Sequence, residues 1–186
     1  MKQIIHHEQC KRCGECCRFR EDRQDFAPIF TVEELDTIQQ TCETLPEFLP
    51  LKGTDNIFQI RLKKAEKPTP FYPYVCPFLD EEAYSCTIYD VRPFDCRIWP
   101  FIVLRVKETE QVLLAHFTRS ACLALAEVQP KDFNAYEAYM EQMVTSKEFL
   151  AFLRKYPQLI WDHESQGNYI TVPSKDITNL LYPTED

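Results

Sequence analysis

Four cysteines lie within eight residues near the start of the chain, in the pattern Cys10-x2-Cys13-x2-Cys16-Cys17. Gaps of two residues let neighbouring thiolates converge on one ion, because the intervening backbone can turn while its N–H groups point at the sulfurs. Gly14 favours a tight turn over a regular helix at this point. The first 25 residues show little hydrophobic periodicity, so we expect a loop or short helix that is held in place by something other than its own core.

A second group of cysteines is spread through the proline-rich stretch 68–100 and beyond it, at Cys76, Cys86, Cys96 and Cys122. Nine residues separate Cys76 from Cys86, and nine separate Cys86 from Cys96. These gaps are looser than the C-x2-C spacing and are less specific on their own. Together with the first group they supply eight thiolates, which is enough for one closed site or for two four-thiolate sites.

Composition excludes several classes of function. The chain has three glycines, so neither a G-x-G-x-x-G loop nor a P-loop can be written in it. Its net charge of −8 has the wrong sign for a general binder of nucleic acid or of an anionic membrane. No run approaches the ~18 apolar residues of a membrane span, and no apolar signal-peptide region is visible at the N-terminus. We therefore expect a cytoplasmic protein, in which clustered cysteines serve as metal ligands or redox groups rather than as disulfides.

Apolar spacing and capping residues predict an α+β fold without a doubly wound parallel sheet. Thr31 and Glu34 form a capping box for a first helix whose apolar stripe is Leu35, Ile38, Cys42 and Leu45. Further along, we predict a strand over 58–62, a hairpin of 101–106 with 112–117, a helix along Phe133, Tyr136, Met140 and Met143, a helix from Ser146 to Pro157, and a short last helix capped by Ser174.

The composition changes after Cys122, and all nine cysteines precede that change. We predict a cysteine-cluster metal-binding domain over residues 1–125. An acidic, helical C-terminal extension over 126–186 is expected to pack on it as one structural unit. The whole is then a small metal-centred domain with short helices, a β-hairpin and a helical C-terminal segment.

The motifs resemble those of a known family, the YkgJ-type cysteine-cluster family. They are the C-x2-C-x2-C-C head, Cys76-Pro77-x-Leu79, Cys86-x-Ile88-Tyr89-x2-Arg92-Pro93-x2-Cys96-Arg97-x2-Pro100, and the later Cys122. That family is described as a zinc- or iron-chelating domain and is related to the flagellin lysine N-methylases. The resemblance covers about residues 10–122 and implies metal binding, without an assigned reaction.

The cysteine pattern is compatible with two kinds of metal centre. The spacing of Cys10, Cys13 and Cys16 is that of a bacterial [4Fe–4S] run, in which the remote cysteine is followed by proline, as Cys76 is here. The adjacent Cys17 departs from that run, and all-thiolate tetrahedral zinc suits the same ligands. The spacing favours an iron–sulfur cluster, with zinc as the alternative.

Two arginines and two histidines accompany the cysteines. Arg92 and Arg97 lie within the ligand-bearing segment, so we predict that they surround the cofactor and donate to sulfur or to nearby carbonyls. His6 and His7 precede the cluster and could ligate, but we expect them to be solvated in a mobile terminus or to begin an ordered arm. Cys42 is predicted to be the one cysteine that binds no metal, because it occupies a helical apolar stripe.

Three functions fit these residues. The cluster could carry electrons or assist a reaction such as methyl transfer, as the resemblance implies. It could instead belong to a metal carrier or sensor whose thiolates exchange the ion. It could also be a zinc staple in a non-enzymatic module that binds a partner protein. The sequence identifies neither a substrate nor a protein partner.

Overall fold

Short helices and small sheets alternate along the chain, so the computed structural model has the predicted α+β fold. The structure describes residues 1–5, 7–51, 53–119, 121–163 and 171–183. The chain divides into two compact units, one of His6–Arg97 and one of Met1–Ile5 with Ile98–Asp186. The division predicted near residue 125 stays a prediction.

The unit His6–Arg97 is built from short elements. In chain order its helices and strands are α1 (His7–Cys13), β1 (Arg18–Phe19), β2 (Ile29–Thr31), α2 (Val32–Gln39), β3 (Phe48–Pro50), β4 (Ile57–Ile60), β5 (Lys63–Lys64), β6 (Tyr74–Val75), β7 (Leu79–Asp80), β8 (Ser85–Cys86) and α3 (Phe94–Arg97). Single 3-10 turns lie at Glu15–Cys17 and Tyr89–Val91, and two 3-10 turns joined by a kink at Arg23 span Glu21–Phe26. The strands form the sheets β1-β6-β5, β2-β4-β3 and β7-β8.

The helix α2 begins where the sequence predicts and ends earlier. It ends at Gln39, because the carbonyl of Ile38 accepts the N–H groups of Thr41 and Cys42 and also the Thr41 hydroxyl. These bonds tighten the chain into a turn before Pro46 is reached. Leu45 is consequently 38% exposed, and the predicted helical stripe is wrong beyond Ile38.

The hydrophobic core of this unit extends into the second cysteine group. Its buried members come from β1, β2, α2 and β4, from the residues just before β2, and from the segments around Cys76 and Cys86: Phe19, Ala27, Phe30, Ile38, Ile60, Cys76, Phe78 and Ile88. The predicted strand is confirmed as β4, with Ile57 and Ile60 fully buried. Burial of Phe78 and Ile88 therefore holds the chain in place next to Cys76 and next to Cys86.

The second unit is organised around one mixed sheet. Its elements are β9 (Phe101–Val106), β10 (Gln111–Phe117), α4 (Pro130–Val144), α5 (Lys147–Lys155), β11 (Trp161–His163), β12 (Thr171–Asp176) and α6 (Thr178–Leu181). The strand order is β11-β9-β10-β12, with β11 parallel to β9 and the other pairs antiparallel. The predicted hairpin is confirmed as β9 and β10.

The two long helices of this unit follow the predicted pattern. Along α4, Tyr136, Met140 and Val144 are buried at spacings of four residues, and the Ser146 hydroxyl caps α5 by accepting the Phe149 N–H at 3.2 Å. Ser174, by contrast, caps no helix. It lies within β12, which pairs with β10, and its hydroxyl donates to Glu141 at 2.8 Å.

The C-terminal segment therefore contributes two strands as well as helices. No helix in the part of the chain that the structure describes has both the length and the apolar character needed to span a bilayer.

Candidate metal centre

The turn after α1 separates the four head cysteines into two pairs. Cys10 and Cys13 lie on α1, and Cys16 and Cys17 lie on the following 3-10 turn. Gly14 joins them with φ 62°, a left-handed conformation that glycine adopts without strain. The Gly14 N–H donates to the Cys10 carbonyl at 2.9 Å and closes the turn. The tight turn predicted from Gly14 is confirmed.

The head folds back onto the second cysteine group through the backbone. β1 pairs with β6, with Arg18 opposite Val75 and Phe19 opposite Tyr74. The next hydrogen bond along this ladder joins two predicted ligands, since the Cys76 N–H donates to the Cys17 carbonyl at 2.9 Å. This short ladder brings together cysteines that are far apart in sequence.

A hairpin returns Cys86 to the neighbourhood of Cys76. β7 pairs with β8 so that Leu79 lies opposite Cys86, and the Leu79 N–H donates to the Cys76 carbonyl at 2.9 Å. Each of the two cysteines also accepts a backbone N–H on its thiol, from Phe78 at Cys76 and from Ile88 at Cys86. Backbone N–H groups directed at sulfur stabilise thiolates in metal centres and tune the bound metal.

Cys96 lies on the short helix α3, which is fixed by carboxylates at its start. The Phe94 N–H donates to Glu34 Oε1 at 2.6 Å, and Asp95 accepts the Ile29 N–H at 3.1 Å. The Cys96 N–H closes the turn onto the Pro93 carbonyl at 3.0 Å. The sequence predicts Glu34 only as part of a helix cap. Nothing in the local sequence indicates that its carboxylate also accepts the Phe94 N–H.

Five thiols lie close enough together to shift one another's ionisation. The hydrogen bond from Cys16 to Cys17, together with desolvation, raises the pKa of Cys16 well above its usual value. The same bond lowers the pKa of Cys17, but desolvation and the like charges of Cys76, Cys96 and Cys86 outweigh it and raise that pKa.

The remaining thiols of this group behave in the same way. Desolvation raises the pKa of Cys76 to about 12, with further increases from Cys86 and Cys16. Desolvation also raises the pKa of Cys86 and that of Cys96, and the charge of Cys16 adds to both. Without metal these groups are therefore neutral thiols, and a cation that compensates their mutual repulsion would convert them to thiolates.

Cys10 and Cys13 lie on α1, at the edge of this group of five thiols. The charge of Cys10 raises the pKa of Cys86 and that of Tyr89, which places Cys10 beside the second group. Cys13 lies near Tyr72, whose pKa is raised first by its hydrogen bond to Glu15 and to a smaller extent by Cys13.

Arg92 lies at the thiols, whereas Arg97 pairs with a carboxylate. The Arg92 guanidinium lowers the pKa of Cys16 and that of Cys86. It lies 3.7 Å from the Tyr89 ring centroid, and its Nε donates to the Tyr89 carbonyl at 3.0 Å. Arg97 Nη2 donates to Glu34 at 3.2 Å. The predicted role of both arginines around a cofactor stays a prediction.

The two remaining cysteines lie elsewhere in the fold. Cys42 follows α2 and packs, half-buried, against the core of the unit His6–Arg97. Cys122 belongs to the other unit, where it is buried and its N–H donates to the Thr118 carbonyl at 2.9 Å. Its participation as a ligand stays a prediction.

The residues present fit a soft metal centre by their donor chemistry. Thiolate sulfur prefers zinc and iron–sulfur clusters over harder cations. Among the described residues, no three His, Cys, Asp or Glu side chains are already grouped so that they could hold a metal ion. Binding therefore requires side-chain rotation as well as loss of thiol protons.

Comparison with known proteins agrees with this chemistry. Residues 9–123 match the model of the family named CxxCxxCC, whose description is "Putative zinc- or iron-chelating domain". The match includes all eight cysteines predicted as ligands. No solved structure matches the chain.

Proposed function

The chain belongs to the CxxCxxCC family of zinc- or iron-chelating domains, and from this premise we propose that its clustered thiols bind an iron–sulfur cluster or zinc. The proposed ligands are Cys10, Cys13, Cys16, Cys17, Cys76, Cys86, Cys96 and Cys122. One observation carries the proposal: five of these thiols raise one another's pKa within a single unit. In the thiolate form such a group needs a cation to compensate its negative charge.

The surroundings of the thiols supply two kinds of contact that a thiolate would use. The sulfurs of Cys76 and Cys86 accept backbone N–H groups, and Arg92 supplies a nearby positive charge. Both features favour the thiolate over the thiol. We therefore propose that these contacts offset part of the desolvation that raises the pKa values of the thiols.

The kind of metal follows from the number of ligands and their spacing. A [4Fe–4S] cluster needs four thiolates, and the head spacing with Cys76-Pro77 favours it. Zinc is the alternative, and four of the same thiolates would bind it in a tetrahedral geometry. Eight thiolates are enough for two such sites.

A role as metal carrier or sensor is the second candidate, and one observation favours it. Cys10 and Cys13 on α1 are half-buried, so they lie closer to solvent than the buried Cys76. A ligand at the surface allows an exchange partner to reach the ion directly. The redox or methyl-transfer role rests on the family relation alone. The role of a zinc-stapled binding module rests on the eight cysteines, which could close two four-thiolate sites.

Anaerobic purification followed by metal analysis, sulfide analysis and an ultraviolet–visible spectrum tests the proposal. Iron with inorganic sulfide and broad visible absorbance identifies an iron–sulfur protein, whereas colourless protein with stoichiometric zinc identifies the alternative. Rapid transfer of metal to a mild chelator without unfolding supports the carrier role. Cys76→Ala is expected to lower the metal content, and the matched variant Cys42→Ala is expected to keep it. Metal-free protein, or equal metal content in the two variants, contradicts the proposed site.

A further inference from the structure

His7 is half-buried, and its Nε2 atom does not face solvent as expected for a histidine at a mobile terminus. Its ring stacks on Tyr89, with the ring centroids 4.0 Å apart and the planes inclined by 28°. Nε2 is buried and has no hydrogen-bond partner among the described atoms. A buried polar atom without a partner is unfavourable, so it calls for an explanation. His6, the other histidine predicted to be solvated, lies outside the described residues.

His7 continues the spacing of the cysteine cluster. The sequence reads His7-x2-Cys10-x2-Cys13, and all three residues lie on α1. Positions three apart on a helix are neighbours on one face, so the imidazole lies one turn before Cys10 in the same stripe.

The Tyr89 ring, on which His7 stacks, lies beside the thiols. Tyr89 lies close enough to Cys10 for that thiol to raise the pKa of its hydroxyl, after the larger effect of burial. Arg92, which lowers the pKa of Cys16 and that of Cys86, contacts the same ring. Stacking on Tyr89 therefore holds His7 at the border of the thiol group.

We propose that His7 Nε2 is a metal ligand alongside Cys10, which makes the centre a mixed nitrogen–sulfur site. This inference rests on the proposed metal binding. Imidazole nitrogen suits zinc and iron and is commonly combined with thiolates. Because a neutral imidazole adds no negative charge, it also relieves the repulsion that a purely thiolate set would create.

Zinc-loaded protein provides the test, with X-ray absorption at the zinc edge as the readout. Wild-type protein is expected to show a nitrogen shell at about 2.0–2.1 Å beside a sulfur shell at about 2.3 Å. His7→Phe keeps a ring to stack on Tyr89 and removes the nitrogen, so it is expected to lose the nitrogen shell, keep the sulfur shell and bind zinc at least ~10-fold more weakly. His6→Phe is the matched control and is expected to resemble the wild type.

The outcomes separate this inference from the proposed function. A sulfur-only shell in wild-type protein, or a nitrogen shell that persists in His7→Phe or disappears in His6→Phe, overturns the assignment of His7 and leaves thiolate binding intact. A wild-type protein that binds neither zinc nor iron overturns the proposed function itself. If His7→Phe fails to fold, His7→Gln carries the same comparison. If the purified protein holds an iron–sulfur cluster, pulsed electron paramagnetic resonance on reduced protein labelled with 15N-histidine replaces the zinc measurement, and loss of the nitrogen coupling in His7→Phe is the expected result.

Discussion

Glu34 Oε1 accepts the backbone N–H of Phe94 at 2.6 Å, which joins the start of α2 to the turn that carries Cys96. The other oxygen of the same carboxylate accepts the Thr31 N–H at 3.0 Å and completes the capping box. Arg97 adds a donor to Oε1 at 3.2 Å. One largely buried carboxylate thus caps a helix and fixes the position of a predicted ligand.

Replacing Glu34 by alanine is expected to destabilise the protein and weaken metal binding together. The change removes a helix cap and leaves the Phe94 N–H without this acceptor, so we expect a loss of about 2–3 kcal/mol in the free energy of unfolding. Urea unfolding and metal content measure the two effects. Glu33→Ala, at an exposed position in the same turn, is the control. Equal behaviour of the two variants would show that Glu34 does not position Cys96.

Cys42 and Cys122 are expected to respond differently to alanine substitution. Cys42→Ala removes a half-buried thiol that packs against the core, so we expect it to cost no more than ~1 kcal/mol in the free energy of unfolding and to keep the full metal load. Cys122→Ala is predicted to lose metal, as is Cys13→Ala. Metal analysis of the three purified variants decides the matter, and a full metal load in Cys122→Ala with a deficit in Cys42→Ala would reverse the assignment.

Removing the metal is expected to disorder the head. The two-residue ladder of β1 with β6, the bond from Cys76 to Cys17 and a few side-chain bonds such as that from the Tyr74 hydroxyl to Glu21 tie it to the sheet, whereas structural zinc contributes ~10–16 kcal/mol in small peptides. Anaerobic chelation should therefore make residues 1–25 sensitive to protease and lower the melting temperature. An apoprotein with the protease resistance and melting temperature of the metal-loaded form would rule this out.

The apoprotein is expected to lose stability as the pH rises above the ordinary pKa of cysteine. An unfolded thiol titrates at about 8.5, whereas burial holds the folded pKa of Cys76 at about 12. Between these values the unfolded chain has released its protons and the folded chain retains them, so the free energy of unfolding falls with pH. Below the lower value this contribution is fully present.

Urea unfolding of the reduced apoprotein at about pH 7.5 and about pH 9.5 measures this effect, since the two conditions bracket the unfolded pKa. Cys76→Ala should show a smaller decrease between the two pH values. The metal-loaded protein should show none from these thiols, because its ligands are already deprotonated in the folded state. A decrease of the same size in apoprotein and in Cys76→Ala would argue against the buried thiol as its source.

Two serines illustrate which parts of the fold the sequence could predict. Ser146 precedes a strongly periodic helix, and local capping decides the outcome, so α5 is found where it was expected. Ser174 has the same capping chemistry but lies in β12, because pairing with β10 and a bond to Glu141 outweigh a local preference. Such long-range partners leave no local trace in the sequence.

The candidate site likewise has features that the local sequence predicts and features that depend on distant residues. The C-x2-C spacing and the turn at Gly14 are local, so the head cysteines and their backbone geometry could be predicted. The second function of Glu34 depends on Phe94, 60 residues away. The burial of His7 depends on Tyr89, which only the folded chain brings beside it. Apolar periodicity also overestimated the length of α2, because it does not indicate the turn that Thr41 makes with the Ile38 carbonyl.

Because the Cys76 N–H bonds to the Cys17 carbonyl, the head can close onto its partner strand only after Cys76 has been synthesised. The four head cysteines leave the ribosome first, while Cys96 follows about 80 residues later, which takes ~4–16 s at about 5–20 residues per second. The nascent head lacks β6 and the β7–β8 hairpin until residues 74–86 have been synthesised. If Cys96 and Cys122 are ligands, as proposed, loading of the centre is completed only after the chain has been translated past Cys122, and an exchangeable supply of metal must be present at that moment.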